Sequence, residues 1–489
     1  MSGNTTFNIF SFNGRVKILH LSWMAFFLTF LVWFNHAPLL ASIAASLGLT
    51  SAEVKTLLIL NVALTIPARV IVGMLTDRYG PRIVYATLLA LACIPCFMFA
   101  LSENFIQAAS ARFLLGFIGA GFVVGIRMVS EWFPANELGT AEGIYGGWGN
   151  FGSAAAAMSM PALALLFGGD DGWRYAIALS GALCLLFSVV WYMNVADTPK
   201  GSTYYKPKVI GGLEVTSVPD FFFLLLMKIP MYAALALIVW KLTPAGVSVI
   251  SLNTAYLLYA SLVLVLIYDC FSAYKVNKGL FTTPVPEIHR YKFKQVAVLN
   301  ILYFATFGSE LAVISMLPLF FAEVFELDMV YAGLLASGYA FMNLMSRPGG
   351  GWISDRFGRK KTLLILTAGL AAGYALMSMI DSSWPLALAV IAAMACSFFV
   401  QAGEGAVFAV VPLIKRRLTG QVAGMTGAYG NVGAVFYLTV LASVSYEAFF
   451  LMIAATAVLG FVTLFFLEEP TGHMSEVNED GSVALIKVS

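Results

Sequence analysis

Two arginines, Arg69 and Arg347, occupy matched positions in two similar stretches of the sequence, residues 69–82 and 347–360. In each stretch a glycine follows the arginine by four residues and an aspartate follows it by eight. In a helix, the arginine would lie about 12 Å along the axis from the aspartate. If the aspartate marks the surface of a hydrocarbon layer about 30 Å thick, the arginine lies near its middle. A charge there costs about 3 kcal/mol, so the pair predicts an anion held between two cations.

The composition indicates that these arginines lie in a membrane. Of the 489 residues, 60% are hydrophobic and 11% are charged, against about 25% charged in a soluble domain. Apolar runs of about 20 residues, long enough to span a bilayer as helices, recur along almost the whole chain. We therefore predict an all-α membrane protein without a soluble catalytic domain. The sequence shows no Walker-type phosphate loop and no grouping of nucleophile, base and orienting residue, so we predict neither an enzyme nor a bound cofactor.

The apolar runs form two sets of six predicted spans. They are residues 18–40, 56–76, 83–101, 107–130, 142–166 and 174–195, then 295–321, 329–353, 362–380, 385–413, 420–443 and 446–467. The second set repeats the first with an offset near 280 residues. This repeat predicts two six-helix halves, residues 1–195 and 295–467, related by a pseudo-two-fold axis. Parallel halves of this kind hold a substrate near the midplane between them and rock to give alternating access.

The segment between the halves, residues 196–294, contains two more apolar runs, at about 221–241 and 250–271. Two extra membrane helices there would preserve the orientation of the second half, and a helical hairpin on the membrane surface is the alternative. We interpret Lys228 and Asp269 within it as interfacial or snorkelling charges. The polar, acidic residues 468–489 predict a disordered cytoplasmic tail.

Lysine and arginine cluster in alternate breaks between the spans, for example around Arg82, Lys360 and Arg416. By the positive-inside rule these breaks are cytoplasmic, which places both termini in the cytoplasm of a multi-pass protein of the cell, or inner, membrane. The clusters therefore orient the chain in the lipid bilayer and do not indicate a nucleic-acid partner. Cys93 and Cys96 lie within an apolar run, where packing is favoured over a redox or metal site, and we predict no metal.

The segment Gly73-Met-Leu-Thr-Asp-Arg-Tyr-Gly-Pro-Arg82 resembles the loop motif of the major facilitator superfamily, and the copy at residues 347–360 strengthens the match. Arg112-Phe-Leu-Leu-Gly116 resembles the fourth-span motif of the same superfamily. In the loop motif, glycine permits close helix packing and aspartate can cap a neighbouring helix, which latches one conformation. The predicted gating residues are Gly73, Asp77, Arg78, Gly351, Asp355 and Arg356.

Two further matched runs, Gly146-Gly-Trp-Gly-Asn-Phe-Gly152 and Gly427-Ala-Tyr-Gly-Asn-Val-Gly433, are similar to the two signature sequences of the nitrate/nitrite porter family. Glycine in a helix costs about 1 kcal/mol relative to alanine, so these runs imply helices pressed together or against a ligand. Their signature glycines are Gly147, Gly149, Gly152, Gly430 and Gly433. The insert, with Asp197-Thr-Pro-Lys-Gly and His289-Arg-Tyr-Lys-Phe-Lys294, resembles the cyanobacterial type of nitrate/nitrite permease.

This resemblance implies roles for individual residues. Arg69 and Arg347 correspond to the substrate-clamping arginines, and the rest of the implied substrate site is Asn150, Asn431, Tyr303, Phe122 and Phe408. In the family the two phenylalanines sandwich the anion, whereas core packing is the alternative for the three aromatic residues. The chemistry is suitable, because nitrate is flat and two guanidinium forks can each donate paired bonds in its plane.

Two acids, Glu310 and Glu404, depart from the family pattern and lie within predicted spans. Buried acids in transporters are candidates for carrying protons, and a static ion pair with an arginine such as Arg127 is the alternative. We therefore expect a monomeric secondary transporter that imports nitrate and nitrite together with H⁺. The alternatives are a nitrate/nitrite exchanger, a porter of small organic anions and an anion sensor that does not transport.

Overall fold

The computed structural model describes residues 8–207, 209–477 and 482–488, and most of this chain is helical. Helices are expected because a membrane offers backbone groups no water to bond, and a helix satisfies them internally. Within the described ranges, eleven helical segments are long and apolar enough to cross a membrane. The remaining helices of the second half, Met329–Phe341, Asn343–Phe357, Arg359–Met377 and Thr419–Leu441, include the second loop motif, a run of cations and the second signature.

The first half contains the six predicted helical segments, several of them divided in two by a kink. Its helices are α1 (Gly14–Phe34), α2 (Leu40–Leu47), α3 (Ser51–Ala63), α4 (Thr65–Tyr79), α5 (Pro81–Ala100), α6 (Phe105–Leu115), α7 (Gly121–Trp132), α8 (Ala135–Asn150), α9 (Gly152–Phe167) and α10 (Gly172–Asn194). The loop motif ends α4 at Gly80, whose φ of 90° is available to glycine, and Pro81 then begins α5.

The second half repeats this plan. Its helices are α13 (Phe293–Val324), α14 (Met329–Phe341), α15 (Asn343–Phe357), α16 (Arg359–Met377), α17 (Leu386–Phe408), α18 (Thr419–Leu441) and α19 (Tyr446–Thr463). Gly358, with a φ of 94°, separates α15 from α16 as Gly80 separates α4 from α5. Short 3-10 helices lie at Ala37–Leu39, Gly116–Ala120, Lys278–Phe281, Glu287–His289, Val411–Leu413, Arg416–Leu418 and Leu464–Phe466.

The insert forms two helices, α11 (Val218–Leu242) and α12 (Leu252–Asn277), both long and apolar enough to span. Helix α11 packs against α18 and α13, and α12 packs against α11. That both cross the bilayer stays a prediction. Lys228 and Asp269, interpreted above as interfacial or snorkelling charges, form an ion pair, because Lys228 Nζ lies 2.8 Å from each oxygen of Asp269. Each charge has its counterion on the neighbouring helix and has no need to reach the interface.

The tail is ordered in its described part, so the prediction of disorder for residues 468–489 is wrong there. Two antiparallel strands, β1 (His473–Val477) and β2 (Val483–Lys487), form a hairpin. The acidic residues before and within it bind donors in distant segments: Glu469 accepts from the backbone N–H of Arg359 and Lys360 at 2.8 and 2.7 Å, and Glu476 pairs with Lys415 and Arg417. Hydrogen bonds from Lys292 and Lys294 lower the pKa of Glu468. These long-range partners supply the stabilisation that the local composition lacks.

The two halves meet along two helix pairs, α4 against α18 and α8 against α15. Close approach requires glycine here: a Cβ on Gly73 would lie 2.9 Å from the carbonyl carbon of Gly420. Asp77 and Asp355 lie near the ends of α4 and α15 that point to the same side of the protein as the first and last described residues. On this side Arg15 pairs with Glu137 and the tail contacts α16. We call this the basic face.

Candidate functional site

The two arginines lie in the interior, at the contact between the halves. Arg69 projects from α4 and Arg347 from α15, and their residues are 0% and 2% exposed. Both guanidinium groups face the Phe122 ring of α7, with their central carbons 5.6 and 5.3 Å from its centroid. Since both distances end at one centroid, the two carbons lie within about 11 Å of each other. The two predicted arginines, one from each half, therefore lie against the same ring.

Arg69 keeps part of its fork free. Its Nε donates to the carbonyl of Gly119 at 3.1 Å and its Nη1 to the carbonyl of Gly427 at 2.6 Å. Its Nη2 is buried and has no hydrogen-bond partner among the described residues. An unsatisfied buried donor on a charged group costs more than the 1–3 kcal/mol, roughly, of a neutral one. An acceptor brought by a ligand would satisfy it.

Arg347 is already occupied by groups of the second half. Its Nη1 lies 2.6 Å from Oε2 of Glu404, and its Nη2 donates to the Tyr303 hydroxyl at 3.0 Å. Helix α8 of the first half lies beside it, because a Cβ on Gly146 would be 2.6 Å from its Nε. The matching glycine of α18, Gly427, lies beside Arg69, where a Cβ would be 3.1 Å from Cδ. The two signature runs therefore provide the space along which the arginine side chains lie.

The signature asparagines differ in their contacts. Nδ2 of Asn150 donates to Oε1 of Glu310 at 3.2 Å, whereas Nδ2 of Asn431 reaches only the carbonyl of Gly427 in its own helix, at 3.5 Å. The Oδ1 atom of Asn431 is buried without a described partner. The signature glycines face helix backbone or rings: Gly147 faces Pro348, Gly149 faces Phe26, Gly152 faces Phe27, Gly430 faces Tyr303 and Phe307, and Gly433 faces Gly308. Contact of either asparagine with a substrate stays a prediction.

The predicted aromatic residues form one cluster around the arginines. Phe122 and Phe408 meet edge to face, with centroids 4.6 Å apart and planes at 86°. They do not form the parallel pair that the family pattern implies, because the edge of one ring occupies the space that a flat anion would need. Tyr303 lies parallel to Phe122, at 6.3 Å and 2°, and it also stacks on Phe307. In this conformation the cluster packs the arginines and does not enclose a slot between Phe122 and Phe408.

The two predicted acids lie together beside Arg347, and both are 0% exposed. Oε1 of Glu310 accepts from the amide groups of Asn150, Asn343 and Gln401. Oε2 of Glu310 and Oε1 of Glu404 have no hydrogen-bond donor among the described residues. The two carboxyl groups are close enough to interact electrostatically. A proton shared between them would satisfy both, and it would also remove the repulsion between two buried negative charges.

Arg127 does not join this group, and its predicted pairing with Glu310 or Glu404 is wrong. Its Nε lies 3.5 Å from Oδ1 of Asp77 and its Nη2 lies 3.0 Å from Glu131. It follows Phe122 by five residues on α7, a rise of about 7.5 Å, which carries it toward the basic face and away from the central acids.

Both motif aspartates bind across the interface between the halves. The Asp77 carboxylate accepts from the backbone N–H of Gly420 and Gln421, each at 2.8 Å, at the start of α18. The Asp355 carboxylate accepts from the N–H of Gly139 and Thr140, at 2.9 and 2.7 Å, near the start of α8. A carboxylate is favoured at a helix N-terminus, and four such bonds hold the basic face closed. We call Asp77 and Asp355 with these donors the latch.

The motif arginines Arg78 and Arg356 are exposed and lie outside the latch. Arg356 instead lies over the Trp352 ring, at 5.0 Å. The cations that pair with the latch aspartates are Arg127 and Arg359, each at 3.5 Å. Neither Arg127 nor Arg359 is among the predicted gating residues.

Comparison with known proteins agrees with this architecture. The chain matches the Major Facilitator Superfamily model over residues 22–282 and 299–487. It belongs to this superfamily. The chain is 48% identical to the nitrate/nitrite transporter NrtP of Picosynechococcus sp. and 45% identical to that of Nostoc punctiforme, in each case over 96% of both chains. It is also 29% identical to the high affinity nitrate transporter 2.5 of Arabidopsis thaliana, over 88% of this chain and 75% of that one. The resemblance to the nitrate/nitrite porters of cyanobacterial type is confirmed.

Solved superfamily structures share the fold at low identity. The human organic anion transporter MFSD10 superposes with a TM-score of 0.63 at 14% identity, over 92% of this chain and 100% of that one. The proton:xylose symporter XylE gives 0.60 at 15% identity, over 93% and 96%. Two six-helix halves of the major facilitator type are therefore shown.

This superfamily member also holds functional candidates that the sequence did not single out. Asn343 and Gln401 bind Glu310, and Glu142 of α8 is buried at 1% exposure with both carboxyl oxygens lacking a described hydrogen-bond donor. A signal for Glu142 was present: it is an acid in the first signature helix, one turn before Gly146. The glycines of that helix indicate close helix packing, and they are the stronger signal in the sequence.

Proposed function

We propose that the protein is a secondary active transporter, with no enzymatic activity, that imports nitrate and nitrite together with H⁺ across the cell, or inner, membrane. The basic face is then cytoplasmic. The observation that carries the proposal is the burial of Arg69 and Arg347, one from each half, against the single Phe122 ring. The names of the relatives at 48% and 45% identity support the choice of nitrate and nitrite.

The proposed substrate contact begins at Arg69, whose free Nη2 can donate to one anion oxygen. Arg347 completes the site when its Nη1 is released from Glu404. A flat, singly charged oxyanion can accept from both guanidinium groups, and each fork donates in a fixed plane. Lysine would supply the charge without that fork, which is why arginine is required at both positions.

Alternating access would use the two interfacial helix pairs. The latch ties α4 to α18 and α8 to α15 on the basic face, so the present conformation is closed toward the proposed cytoplasm. Rocking of the halves would break these four backbone contacts and open a path from the arginines to that side. The pseudo-symmetry explains why the same device occurs in each half.

Proton coupling follows from competition for Arg347. Glu404 neutralises Arg347 at 2.6 Å, so an incoming anion meets a cation that already has a partner. A proton on Glu404 removes the competing charge, and Glu310, which interacts with Glu404, can share that proton. Proton and anion then favour each other's binding by the same factor, as linkage requires. With Glu404 neutral, Arg347 and the anion together carry no net charge, so the free-energy cost of burying the anion also falls.

The test is uptake by proteoliposomes under an imposed pH gradient, with nitrate, nitrite, chlorate and small carboxylates in competition. We expect the wild type to accumulate nitrate and the variants Arg69→Lys and Arg347→Lys each to lose at least about tenfold in uptake, equivalent to about 1.4 kcal/mol. Preference for a carboxylate would indicate an organic-anion porter, and binding without flux would indicate a sensor. Wild-type uptake by both lysine variants would refute the proposed site.

Exchange of nitrate for nitrite is a second candidate, favoured by one observation. The Arg347–Glu404 pair is buried and short, and a static pair would prevent Glu404 from carrying a proton. Uptake that requires internal nitrite and ignores the pH gradient would select exchange. Uptake that follows the pH gradient into empty liposomes would select symport.

A further inference from the structure

Glu142 lies between the arginine site and the latch. On α8 it comes three residues after Gly139, which donates to Asp355, and four residues before Gly146, which lies against Arg347. One helical turn toward the basic face therefore reaches the latch, and one turn inward reaches the proposed substrate site. A carboxyl group at this position adjoins both parts of the transport cycle.

The surroundings of Glu142 do not satisfy a carboxylate. The residue is 1% exposed, and neither carboxyl oxygen has a hydrogen-bond donor among residues 8–207, 209–477 and 482–488. A buried carboxylate without donors is unstable, whereas the neutral acid can occupy such a site at lower cost. Packing volume alone would be met by glutamine or leucine. An acid that accepts no hydrogen bond in this conformation points to a use in another state of the protein.

The charged groups around Glu142 connect the two sides. Its carboxyl is within electrostatic range of Arg416, before α18, and of Arg347 of α15. The Tyr145 hydroxyl, one turn along α8, donates to the carbonyl of Phe122 at 2.8 Å and not to Glu142. Further charged groups lie on the helices that pack against α8. On the inner side Glu404 of α17 lies beside Arg347, and in the latch lies Asp355 of α15. Toward the basic face, Arg127 and Glu131 of α7 lie beside Arg416, and Arg15 of α1 pairs with Glu137. Arg416 belongs to the second half and Glu142 to the first, so rocking of the halves separates them.

We propose that Glu142 carries the coupling proton between the Glu310–Glu404 pair and the basic face. This inference rests on the proposed proton symport. With the latch closed, Glu142 holds a proton because no donor among the described residues satisfies its ionised form. When α8 separates from α15, water reaches the carboxyl, hydrates the ionised form and accepts the proton on the cytoplasmic side. The anion leaves Arg347 through the same opening, so proton and anion are released together.

The test compares Glu142→Gln with wild type in proteoliposomes that contain a pH-sensitive dye. Internal acidification on addition of nitrate reports proton movement, and exchange of labelled nitrate between equal concentrations reports the anion path without net proton movement. We expect Glu142→Gln to lose at least about tenfold of the acidification and of the gradient-driven accumulation, while exchange stays within about twofold of wild type. Glu142→Asp, which keeps a carboxyl, should restore part of the acidification.

The matched control is Glu137→Gln on the same helix, where the acid is at the surface and paired with Arg15 at 2.9 Å. It should behave as wild type in both measurements. Wild-type acidification in Glu142→Gln would overturn the inference, and so would an equal loss of exchange and acidification, which indicates a structural role. Absence of acidification in the wild type itself would instead refute the proposed symport on which the inference rests.

Discussion

The substitution Glu404→Gln separates the two roles that Glu404 has in this account, as counterion of Arg347 and as competitor of the anion. Both side chains are buried and the pair is 2.6 Å long. Removal of one partner from a buried pair costs about 3–5 kcal/mol, because the other charge stays in place uncompensated. Without nitrate, the variant should therefore have a free energy of unfolding lower than that of wild type by about this amount.

Nitrate should restore the stability of Glu404→Gln, because the anion supplies the charge that glutamine lacks. A ligand at one hundred times its Kd stabilises a protein by about 2.7 kcal/mol. The variant binds nitrate without displacing a carboxylate, so its Kd should be lower than that of wild type at neutral pH and its gain on adding nitrate larger. Thermal unfolding in detergent, with and without nitrate, measures this difference.

The pH dependence of nitrate affinity should change as well. In wild type the bound state holds one more proton than the free state, so affinity rises as pH falls, by up to about tenfold per pH unit. In Glu404→Gln the slope should disappear. Equilibrium binding across the neutral range measures it, with Glu137→Gln as the control for a changed acid elsewhere. A wild-type slope in both Glu404→Gln and Glu310→Gln would refute the reasoning that either acid carries the proton.

Three further predictions concern the latch, the signature helix and the tail. Asp77→Ala removes two hydrogen bonds to a charged acceptor, each worth about 1.5–3 kcal/mol, and should favour the conformation open at the basic face, measured by labelling of a cysteine placed beside Gly420. Gly146→Ala places a methyl group 2.6 Å from Nε of Arg347 and should abolish uptake, whereas Gly349→Ala, where nothing lies within 4 Å, should not. The pKa of Glu468 is lowered, so its stabilisation of the tail is present above the ordinary carboxyl pKa and is lost as pH falls through the lower value. Protease should therefore cleave the tail of wild type more slowly than that of Glu468→Gln at neutral pH, and the two rates should become equal in acid.

The repeated motifs were sufficient to predict the halves and the two central arginines. The rise of a helix sets the depth of an arginine that lies eight residues from an aspartate at the membrane surface. The copy of the motif in the second half then identifies the second arginine of the pair. The signature glycines were also informative, because close packing against an arginine or a facing helix leaves no room for a Cβ, as at Gly146.

The partners of the charged residues could not be predicted, because they depend on contacts between distant segments. Arg127 was expected beside the central acids, but its depth along α7 places it at Asp77. Lys228 and Asp269 are 41 residues apart and pair only because α11 and α12 pack side by side. The acidic tail is ordered by Lys292 and Lys294 at the start of α13 and by backbone N–H groups at the start of α16, and its composition alone carries no information about these partners.

If Arg69 and Arg347 hold the same anion, their contributions to its binding are coupled. Nitrate Kd values for wild type, Arg69→Lys, Arg347→Lys and the double variant, analysed as a double-mutant cycle, measure this coupling. Each single change should raise the Kd at least about tenfold, and the loss of binding free energy in the double variant should be far smaller than the sum of the two single losses. Wild-type affinity in either single variant, or strictly additive losses, would contradict a shared anion.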